Sequence, residues 1–524
     1  MTARVPAASP RVAGTPRRLR DAAVRRAPGA LVALAVVLGL PAVAAAHGLS
    51  PVYQSPLPLA VYLVGAAATV ALSFVFVLAR DVRATTIDEG RIVHVPAALR
   101  IALRVIGLVG WTWIVAQAIA GGSSDAAVAT LFLWVYGWVG IAVLSALLFP
   151  VWEWIDPFAT LHDILAWALR TIGVRGWPAS EVPAAVRVWP AVLGLAFFVW
   201  LELVPAVSAA TLTVVLVGYT VLTLALMAQF GRDEWRAQGE TFSVWFRTLN
   251  RMAPFGVVAA ARVAGEEPRP DADDGVVVPG GIDVARAHVV RRSFASGLLG
   301  GRWSAAVVAL IAVGVASIIF DGFSQTVVFA SWFGVPGLVP KTLLLLAWLA
   351  IVVGAALWVG RTVSIGAIGA GLLPIAIGYL IAHYLTYLLI DGQRIVIAVS
   401  DPLQQGSDLF GTAFFQPGAS WLPPGLVWTL QLAAVVGGHM IGAWAGHVTA
   451  QRDMEALAAS RPPRDMRHRK LPWTPAPDRN VRMREIPLAV VMVALTTITL
   501  WSLGQAIVVE TPAASAPPAV IASR

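Results

Sequence analysis

The sequence predicts an all-α membrane protein, a bundle of about ten transmembrane helices. Its 524 residues are 58% hydrophobic and only 13% charged, whereas a soluble globular chain has about 45–50% apolar and about 25% charged residues. The apolar residues form long runs, and a helix needs about 20 of them to cross the hydrocarbon of a bilayer. The arginines fall in alternate connections between the runs, as in proteins with a fixed membrane orientation. Lipid must therefore surround most of the chain.

The absence of cysteine excludes several kinds of chemistry, and the predominance of arginine among the basic residues indicates the origin of the protein. Without cysteine, disulfides, thiolate catalysis, Cys-ligated zinc and iron–sulfur clusters are excluded. The basic residues are nearly all arginine, since only Lys341 and Lys470 are lysines. Together with the abundant alanine and valine, this is typical of a bacterial protein, and we expect the cytoplasmic membrane to be its location.

Residues 1–46 have the features of a signal peptide. An arginine-rich start is followed by an apolar stretch over residues 30–43 and by three alanines before His47. Cleavage there would leave His47 as the amino terminus on the outer side, where its amine and imidazole could chelate copper. The alternatives are a signal anchor that is not cleaved and an ordinary terminus that happens to be histidine.

Ten apolar runs follow, with five predicted spans in residues 47–230 and five in residues 303–508. We predict spans at 57–79, 101–120, 126–149, 188–206, 209–230, 303–320, 342–359, 372–399, 425–449 and 486–508. If the mature start is outside, the connections that hold nearly all the arginines are cytoplasmic, and only Lys341, Arg394 and the terminal Arg524 lie outside. Both termini are then outside. The excess of basic residues behind the net charge of +9 is concentrated in these connections and sets the orientation, and nothing indicates a nucleic-acid partner.

The long connection at residues 231–302 is predicted to be cytoplasmic. Its first part carries Trp235, Phe242, Trp245 and Leu249 with arginines between them, a pattern typical of an amphipathic helix on a membrane surface. Residues 264–282 are acidic and rich in Pro and Gly, as in a flexible linker. We predict a disordered tail at residues 509–524.

The eighth span carries four polar residues on one helical face. His383, Tyr387, Asp391 and Arg394 are separated by four, four and three positions. The helix either ends near Asp391 or continues to Ser400, and in the longer form His383 lies roughly 25 Å below the outer end. An alternative for Asp391 and Arg394 is an ion pair that caps the helix at the membrane interface.

The ninth span carries Gln431 and His439, and a glycine every four residues at Gly438, Gly442 and Gly446. Such a seam of small residues lets a neighbouring helix approach closely. His439 is about 21 Å below the outer end of its helix, counted at 1.5 Å per residue. We therefore expect it to face His383. The two imidazoles, with Gln431 and Asp391 nearby, could bind a divalent metal or haem, relay protons, or bond to each other across the helices.

Four acidic residues lie near the ends of other predicted spans. Glu202 lies in an apolar run before Pro205 and is expected to have a partner inside the bundle. Asp321 is expected to be solvated at the outer surface. Asp156 precedes a proline and is expected to end or turn the chain, and Asp163 is expected at the surface.

Several segments together resemble a family of bacterial multi-pass membrane proteins commonly labelled fenitrothion hydrolase, meaning organophosphate-ester hydrolases. They are HGLSPVYQSPLPL, WIDPFATL, AFFVWLEL, FDGFS, GYLIAHY, SDPLQQGSDLFGTA and GGHMIGAWAGH. The resemblance extends from His47 to about residue 455 and implies a hydrolase. No family catalytic residue can be assigned from it.

Three functions follow as hypotheses. The first is ester hydrolysis of a lipophilic molecule by a metal-bound water, with His383 and His439 as ligands and Asp391 or Glu202 as third ligand or general base. The second is transport coupled to protons or a metal. The third is a haem- or copper-binding redox or assembly protein, with His47 assisting. The lipid bilayer is the expected partner in all three.

Overall fold

The protein is mostly helical. A computed structural model describes residues 91–121, 126–174, 179–205, 207–258, 288–300, 303–362 and 364–459, with isolated positions at 64, 65, 68, 124, 497, 498 and 501. The predicted signal peptide, His47, the 264–282 linker and the tail from residue 509 lie outside the described residues.

The described elements are numbered in chain order. Those before the linker are β1 (Arg91–Val93), α1 (Ala97–Ala120), α2 (Val128–Leu147), α3 (Trp152–Ile155), α4 (Pro157–Thr171), α5 (Trp189–Leu203), α6 (Ala209–Phe230), α7 (Arg232–Gln238), α8 (Thr241–Leu249) and β2 (Phe255–Val258). Those after it are β3 (His288–Arg291), α9 (Ala305–Ser324), α10 (Val327–Phe333), α11 (Leu338–Thr362), α12 (Ile365–Ile390), α13 (Ile395–Ser400) and α14 (Pro424–Ala459).

Seven of the described helices are long and apolar enough to cross a membrane. They are α1, α2, α6, α9, α11, α12 continued by α13, and α14, and each matches a predicted span. The predicted span at 188–206 is the shorter helix α5, with 15 residues. The predicted spans at 57–79 and 486–508 lie outside the described residues, apart from the isolated positions.

Helices α9 and α12 lie at the centre of the bundle. Nearly every residue of α9 from Ala306 to Asp321 is buried, as are most of the residues of α12 from Ala367 to Leu380. Both segments are apolar on every side, so neighbouring helices cover them all round. α1 and α11 expose most of their apolar side chains, as helices that face lipid would.

The eighth predicted span takes the longer of its two forms. α12 runs to Ile390, a turn of 3₁₀ helix covers Asp391–Arg394, and α13 continues to Ser400. Pro374 lies inside α12, where its ring removes one backbone hydrogen bond of the helix.

A small antiparallel sheet lies at one end of the bundle, which we call the sheet end. β3 is its central strand and pairs with β1 and β2, so that Arg91 and Phe255 both lie opposite Arg291. The sheet joins the predicted cytoplasmic connections 80–100 and 231–302. It was not predicted, because strands of three or four residues lack a readable periodicity.

The opposite end, which we call the loop end, consists of residues 401–423 and the turn around Ser124. Trp113 Nε1 donates to Pro402 O at 2.8 Å, and Ser124 Oγ bonds to the Gln404 side chain. The turn around Ser124 and residues 401–423 belong to two connections predicted to lie outside, and they meet at the loop end.

The segment predicted as one surface helix forms two helices packed into the sheet end. The Arg236 side chain of α7 is completely buried, and α8 buries Thr241, Ser243 and Thr248 as well as its aromatic residues. A helix lying on lipid would keep those polar groups in water. The spacing of the apolar residues predicted a helical segment correctly. It did not predict that the polar side chains are buried, because the acids that pair with Arg236 are distant in sequence.

Candidate functional site

Asp321 is the centre of a buried polar cluster. Its Oδ2 atom lies 2.9 Å from His383 Nε2 and accepts a hydrogen bond from the Tyr384 hydroxyl at 3.1 Å. Its Oδ1 atom accepts one from Gln325 Nε2 at 2.7 Å. Only 8% of Asp321 is exposed, and each carboxylate oxygen has a partner, as a buried charge requires.

The prediction of a solvated Asp321 is wrong. Helix α9 continues past it to Ser324, and α10 then folds back so that Phe329 covers Phe320 and Phe323. The predicted span at 303–320 placed Asp321 just beyond the apolar run. The contact with α12 could not be seen in the local sequence.

His383 and Tyr384 are consecutive residues of α12 that both reach Asp321. The imidazole contacts the rings of Tyr379 and Tyr384 edge to face, with centroids 5.9 and 4.6 Å away. The hydrogen bond to a carboxylate requires a proton on Nε2 of His383. When Asp321 is ionised, this contact places the proton of a neutral imidazole on Nε2, as a base-orienting acid does in an enzyme.

Glu202 completes the cluster from α5. Its Oε2 atom is buried and has no hydrogen-bond partner among the described residues, and its charge is close enough to interact with Asp321 and Tyr384. The prediction of a partner inside the bundle is not confirmed by this approach, because the interaction with Asp321 is between two acids. We call Glu202, Asp321, His383 and Tyr384 the central cluster.

Asp391 and Arg394 lie apart from this cluster. They form an ion pair of 3.2 Å within the 3₁₀ turn, with 34% and 30% of their side chains exposed. The ion pair of the alternative is therefore present, but it does not cap the helix end, because the helix continues through α13 to Ser400. Tyr387 contacts the ring of Tyr384 at a centroid distance of 6.3 Å and so borders the central cluster.

The two polar residues of α14 are directed at different levels of α12. Gln431 Nε2 donates to Ala382 O at 2.7 Å, next to His383. His439 is buried, and its Nδ1 atom lies 2.8 Å from Val435 O in its own helix. His439 follows Gln431 by eight residues and therefore lies about 12 Å deeper along the helix.

His383 and His439 are therefore not opposite each other. The predicted equal depth came from counting down from two helix ends as if those ends were level. With Gln431 opposite Ala382, the start of α14 is level with about Leu389, so α13 extends roughly 16 Å beyond it.

The predicted metal and haem ligands do not fit a shared group. Among the described residues, no three His, Asp or Glu side chains are close enough to hold a metal ion. Two axial haem ligands must approach one iron, which an offset of about 12 Å between His383 and His439 does not allow. Copper binding at His47 stays a prediction, since that residue lies outside the described part of the chain.

The glycine seam of α14 packs against α12 as predicted. A methyl group added at Gly438 would lie 2.5 Å from Pro374 O, and one at Gly442 would lie 2.4 Å from Gly371 O. Gly378 of α12 meets Ala434 O in the same way, at 2.3 Å. Side chains at these positions would force the helix backbones apart.

A second buried polar cluster lies at the sheet end, which we call the inner cluster. Arg236 donates to Asp156 Oδ2 at 2.6 Å and to Glu153 Oε2 at 3.0 Å, and Arg247 donates to Glu153 Oε1 at 2.8 Å. Asp156 also caps α4 by accepting the Phe158 amide, so the expectation that it turns the chain is confirmed. Burial opposes ionisation of Glu153, but Arg247 and Arg236 outweigh it and hold its pKa below the usual range.

Glu240 belongs to the same cluster and caps α8. Its carboxyl accepts the amides of Phe242 and Ser243 and the hydroxyl of Tyr219. Burial, and then the charge of Asp156, raise the pKa of Glu240 above its usual value. The sequence contained one usable signal for this site, an acid directly before a helix start.

Asp163 is partly exposed and holds two arginines from other elements. It pairs with Arg104 of α1 and lies 2.7 Å from Arg232 Nη1 of α7. The expected surface position is thus only half right, because the side chain ties three elements of the sheet end together.

An apolar cavity separates the two clusters. Apart from Leu133 and Gly137 its lining is aromatic, namely Trp111, Phe132, Trp138, Trp152, Phe158, Phe198, Phe242 and Phe246. Trp138 lies beside the Tyr384 hydroxyl of the central cluster, and Phe242 is two residues beyond Glu240. No family model, curated protein or solved structure matches the chain.

Proposed function

We propose that this protein is a proton-coupled transporter of the bacterial cytoplasmic membrane. The observation that carries the proposal is the buried Asp321, bonded to His383 and Tyr384 and close to Glu202. Ionisable groups at such a depth are costly, and in membrane proteins they mark proton and ion pathways.

The shape of α12 supports the same proposal. Transporters bind their solutes where membrane helices are interrupted. α12 contains Pro374 below His383 and gives way to a 3₁₀ turn at Asp391 above it. The central cluster lies between these two interruptions, where a small change in helix geometry would move it.

The proposed topology has about ten spans, with both termini outside after removal of the signal peptide. It is supported by contacts at both ends. Connections predicted as cytoplasmic meet in the sheet, in the Asp163 ion pairs and where Arg452 donates to Leu299 O. Two of those predicted as outer meet where Ser124 bonds to the Gln404 side chain.

A transport assay tests the proposal. Inverted membrane vesicles would be acidified by respiration, with a fluorescent dye reporting the pH gradient, and then given divalent cations or lipophilic organic solutes. We expect at least one class to dissipate the gradient in wild type but not in Asp321→Asn. Asp408→Asn, an acid variant in the loop end, should behave as wild type. Equal responses of wild type and Asp321→Asn, or no response to any class, would contradict the proposal.

The second candidate is ester hydrolysis, which the family resemblance implies. The contact of Asp321 with His383 favours it, because an oriented imidazole can serve as general base for water. The same vesicles given a chromogenic phosphotriester would test it. Hydrolysis in wild type that is lost in His383→Gln would favour the hydrolase, while gradient dissipation without hydrolysis would favour transport.

A further inference from the structure

The inner cluster contains one more acid than its arginines balance. Glu153 and Asp156 are bonded to Arg236 and Arg247. The cluster consists of Glu153 of α3, Asp156 at the start of α4, Arg236 of α7, and Glu240 and Arg247 of α8. Tyr219 of α6 and Asp233 of α7 lie beside it, and Asp233 is balanced by its own ion pair with Arg232.

Glu240 is the acid without a guanidinium. Its described partners are two backbone amides and the Tyr219 hydroxyl, and only 1% of the residue is exposed. These donors favour the carboxylate, but burial without a counter-ion and the nearby charge of Asp156 outweigh them and raise the pKa of Glu240, which favours the neutral, protonated form. Glu240 is therefore suited to hold a proton at the sheet end, the proposed cytoplasmic side.

The aromatic cavity lies between this carboxyl and the central cluster. Phe198 spans it, with its ring centroid 5.2 Å from that of Trp138 and 5.5 Å from that of Phe242. Apolar cavities stay dry, and constrictions lined by apolar side chains block ions until water enters them. The dry aromatic cavity thus blocks proton transfer between Glu240 and the central cluster, and water that enters the cavity would allow it.

We propose that Glu240 is a second proton-binding site, which exchanges protons with the central cluster through water that transiently enters the aromatic cavity. In each transfer the Glu240 carboxyl loses a proton to the water chain, and the chain delivers one to the Asp321–Tyr384 side, so charge and atoms balance. The inference rests on the proposed function, because it takes the central cluster to be a proton site.

Hydrogen–deuterium exchange of carboxyl groups tests this inference without a known solute. The purified full-length protein in lipid nanodiscs would be transferred to heavy water, and infrared spectra would follow the carbonyl stretch of its protonated carboxyls. Signals lost in Glu202→Gln or Asp321→Asn identify the central cluster, and a signal lost in Glu240→Gln identifies the inner one.

The expected results are a several-fold slower exchange of the central cluster in Glu240→Gln and a several-fold faster exchange in Phe198→Ser, which makes the cavity polar. Ile368→Ser, which makes an equally buried position of α12 polar away from both the cavity and the central cluster, should leave the rate unchanged. A faster exchange in Phe198→Ser but not in Ile368→Ser is specific to the cavity, and because it is a gain it does not result from a misfolded Glu240 variant.

Two failures are distinguishable. A central cluster that exchanges at the wild-type rate in Glu240→Gln, or at the same rate in Phe198→Ser and Ile368→Ser, overturns this inference and leaves the proposed function standing. The absence of any signal assigned to Glu202 or Asp321 overturns both.

Discussion

At the scale of single residues, two clusters place charged side chains in buried surroundings. The inner cluster is held by Arg236, whose guanidinium reaches Asp156 and Glu153 while completely buried. A buried pair need not stabilise more than an apolar substitute would, but removing one partner strands the other charge. The effect of this cluster on the free energy of unfolding is therefore measured by removing a single member.

We predict that Arg236→Ala lowers the free energy of unfolding by about 3–5 kcal/mol, because Asp156 and Glu153 lose their common partner. Thermal unfolding of the protein in detergent would measure this as a lower melting temperature. Glu181→Ala, which removes an exposed charge at the same end, is the control and should change stability by less than about 0.5 kcal/mol. Equal effects of the two substitutions would contradict the buried cluster.

The raised pKa of Glu240 predicts a pH dependence with a definite sign. A carboxyl whose pKa is higher in the folded than in the unfolded state destabilises the fold once it is ionised, and this penalty disappears as the pH falls below the unfolded pKa. Relative to wild type, Glu240→Gln should therefore gain melting temperature from acid to neutral pH. If the difference in melting temperature between the two proteins is constant with pH, or has the opposite slope, burial does not raise the pKa of this carboxyl.

The lowered pKa of Glu153 predicts the opposite behaviour. Its ionised form is stabilised in the folded protein, so this contribution is present above the unfolded pKa and is lost as the pH falls through the folded pKa. Glu153→Gln should lose stability relative to wild type at neutral pH, with a difference that shrinks in strong acid. Melting curves over the same pH series would measure both variants.

At the scale of elements, the contact between α12 and α14 decides which polar residues meet. The glycine seam was predictable, because small residues repeated every four positions form one face of a helix. The register was not predictable, because it depends on how far α13 extends beyond α14. For that reason the sequence identified His383 but assigned it His439 as a neighbour, when the structure assigns it Asp321 from α9.

Single glycine substitutions test this helix contact. Gly438→Ala should destabilise the protein by about 1–3 kcal/mol, because the new methyl group would overlap Pro374 O in the backbone of α12. Gly437→Ala, one position away with open space around it, should be neutral or stabilising by roughly 0.5–1 kcal/mol from helix propensity. Comparable losses in both variants would mean that the seam does not face α12.

At the scale of the whole molecule, the hydrophobic runs predicted the elements much better than their arrangement. Each of the seven described helices that are long and apolar enough to cross a membrane matches a predicted span. Such a helix is recognisable from its own length and apolar composition. The sheet and both clusters depend on residues distant in sequence, such as Arg91 with Arg291 or Asp156 with Arg236. No local pattern carries that information.

The proposed orientation is testable because the natural chain has no cysteine. Single cysteines would be introduced at Gln405 in the loop end and at Glu181 in the connection 150–187, both exposed. A membrane-impermeant maleimide should label Gln405→Cys in intact spheroplasts and Glu181→Cys only after permeabilisation. Reversed labelling would mean that the orientation is opposite to the proposed one. Labelling of both cysteines in intact spheroplasts would mean that the bundle does not cross the membrane.

The central claim is that the cluster around Asp321 binds and releases protons inside the bundle. Infrared difference spectra of the protein in nanodiscs, recorded between about pH 5 and about pH 8 where imidazoles titrate, test it directly. We predict a carboxyl signal that changes with pH in wild type, disappears in Glu202→Gln or Asp321→Asn, and persists in Asp391→Asn. A spectrum in which neither Glu202→Gln nor Asp321→Asn removes a pH-dependent carboxyl signal would contradict the account.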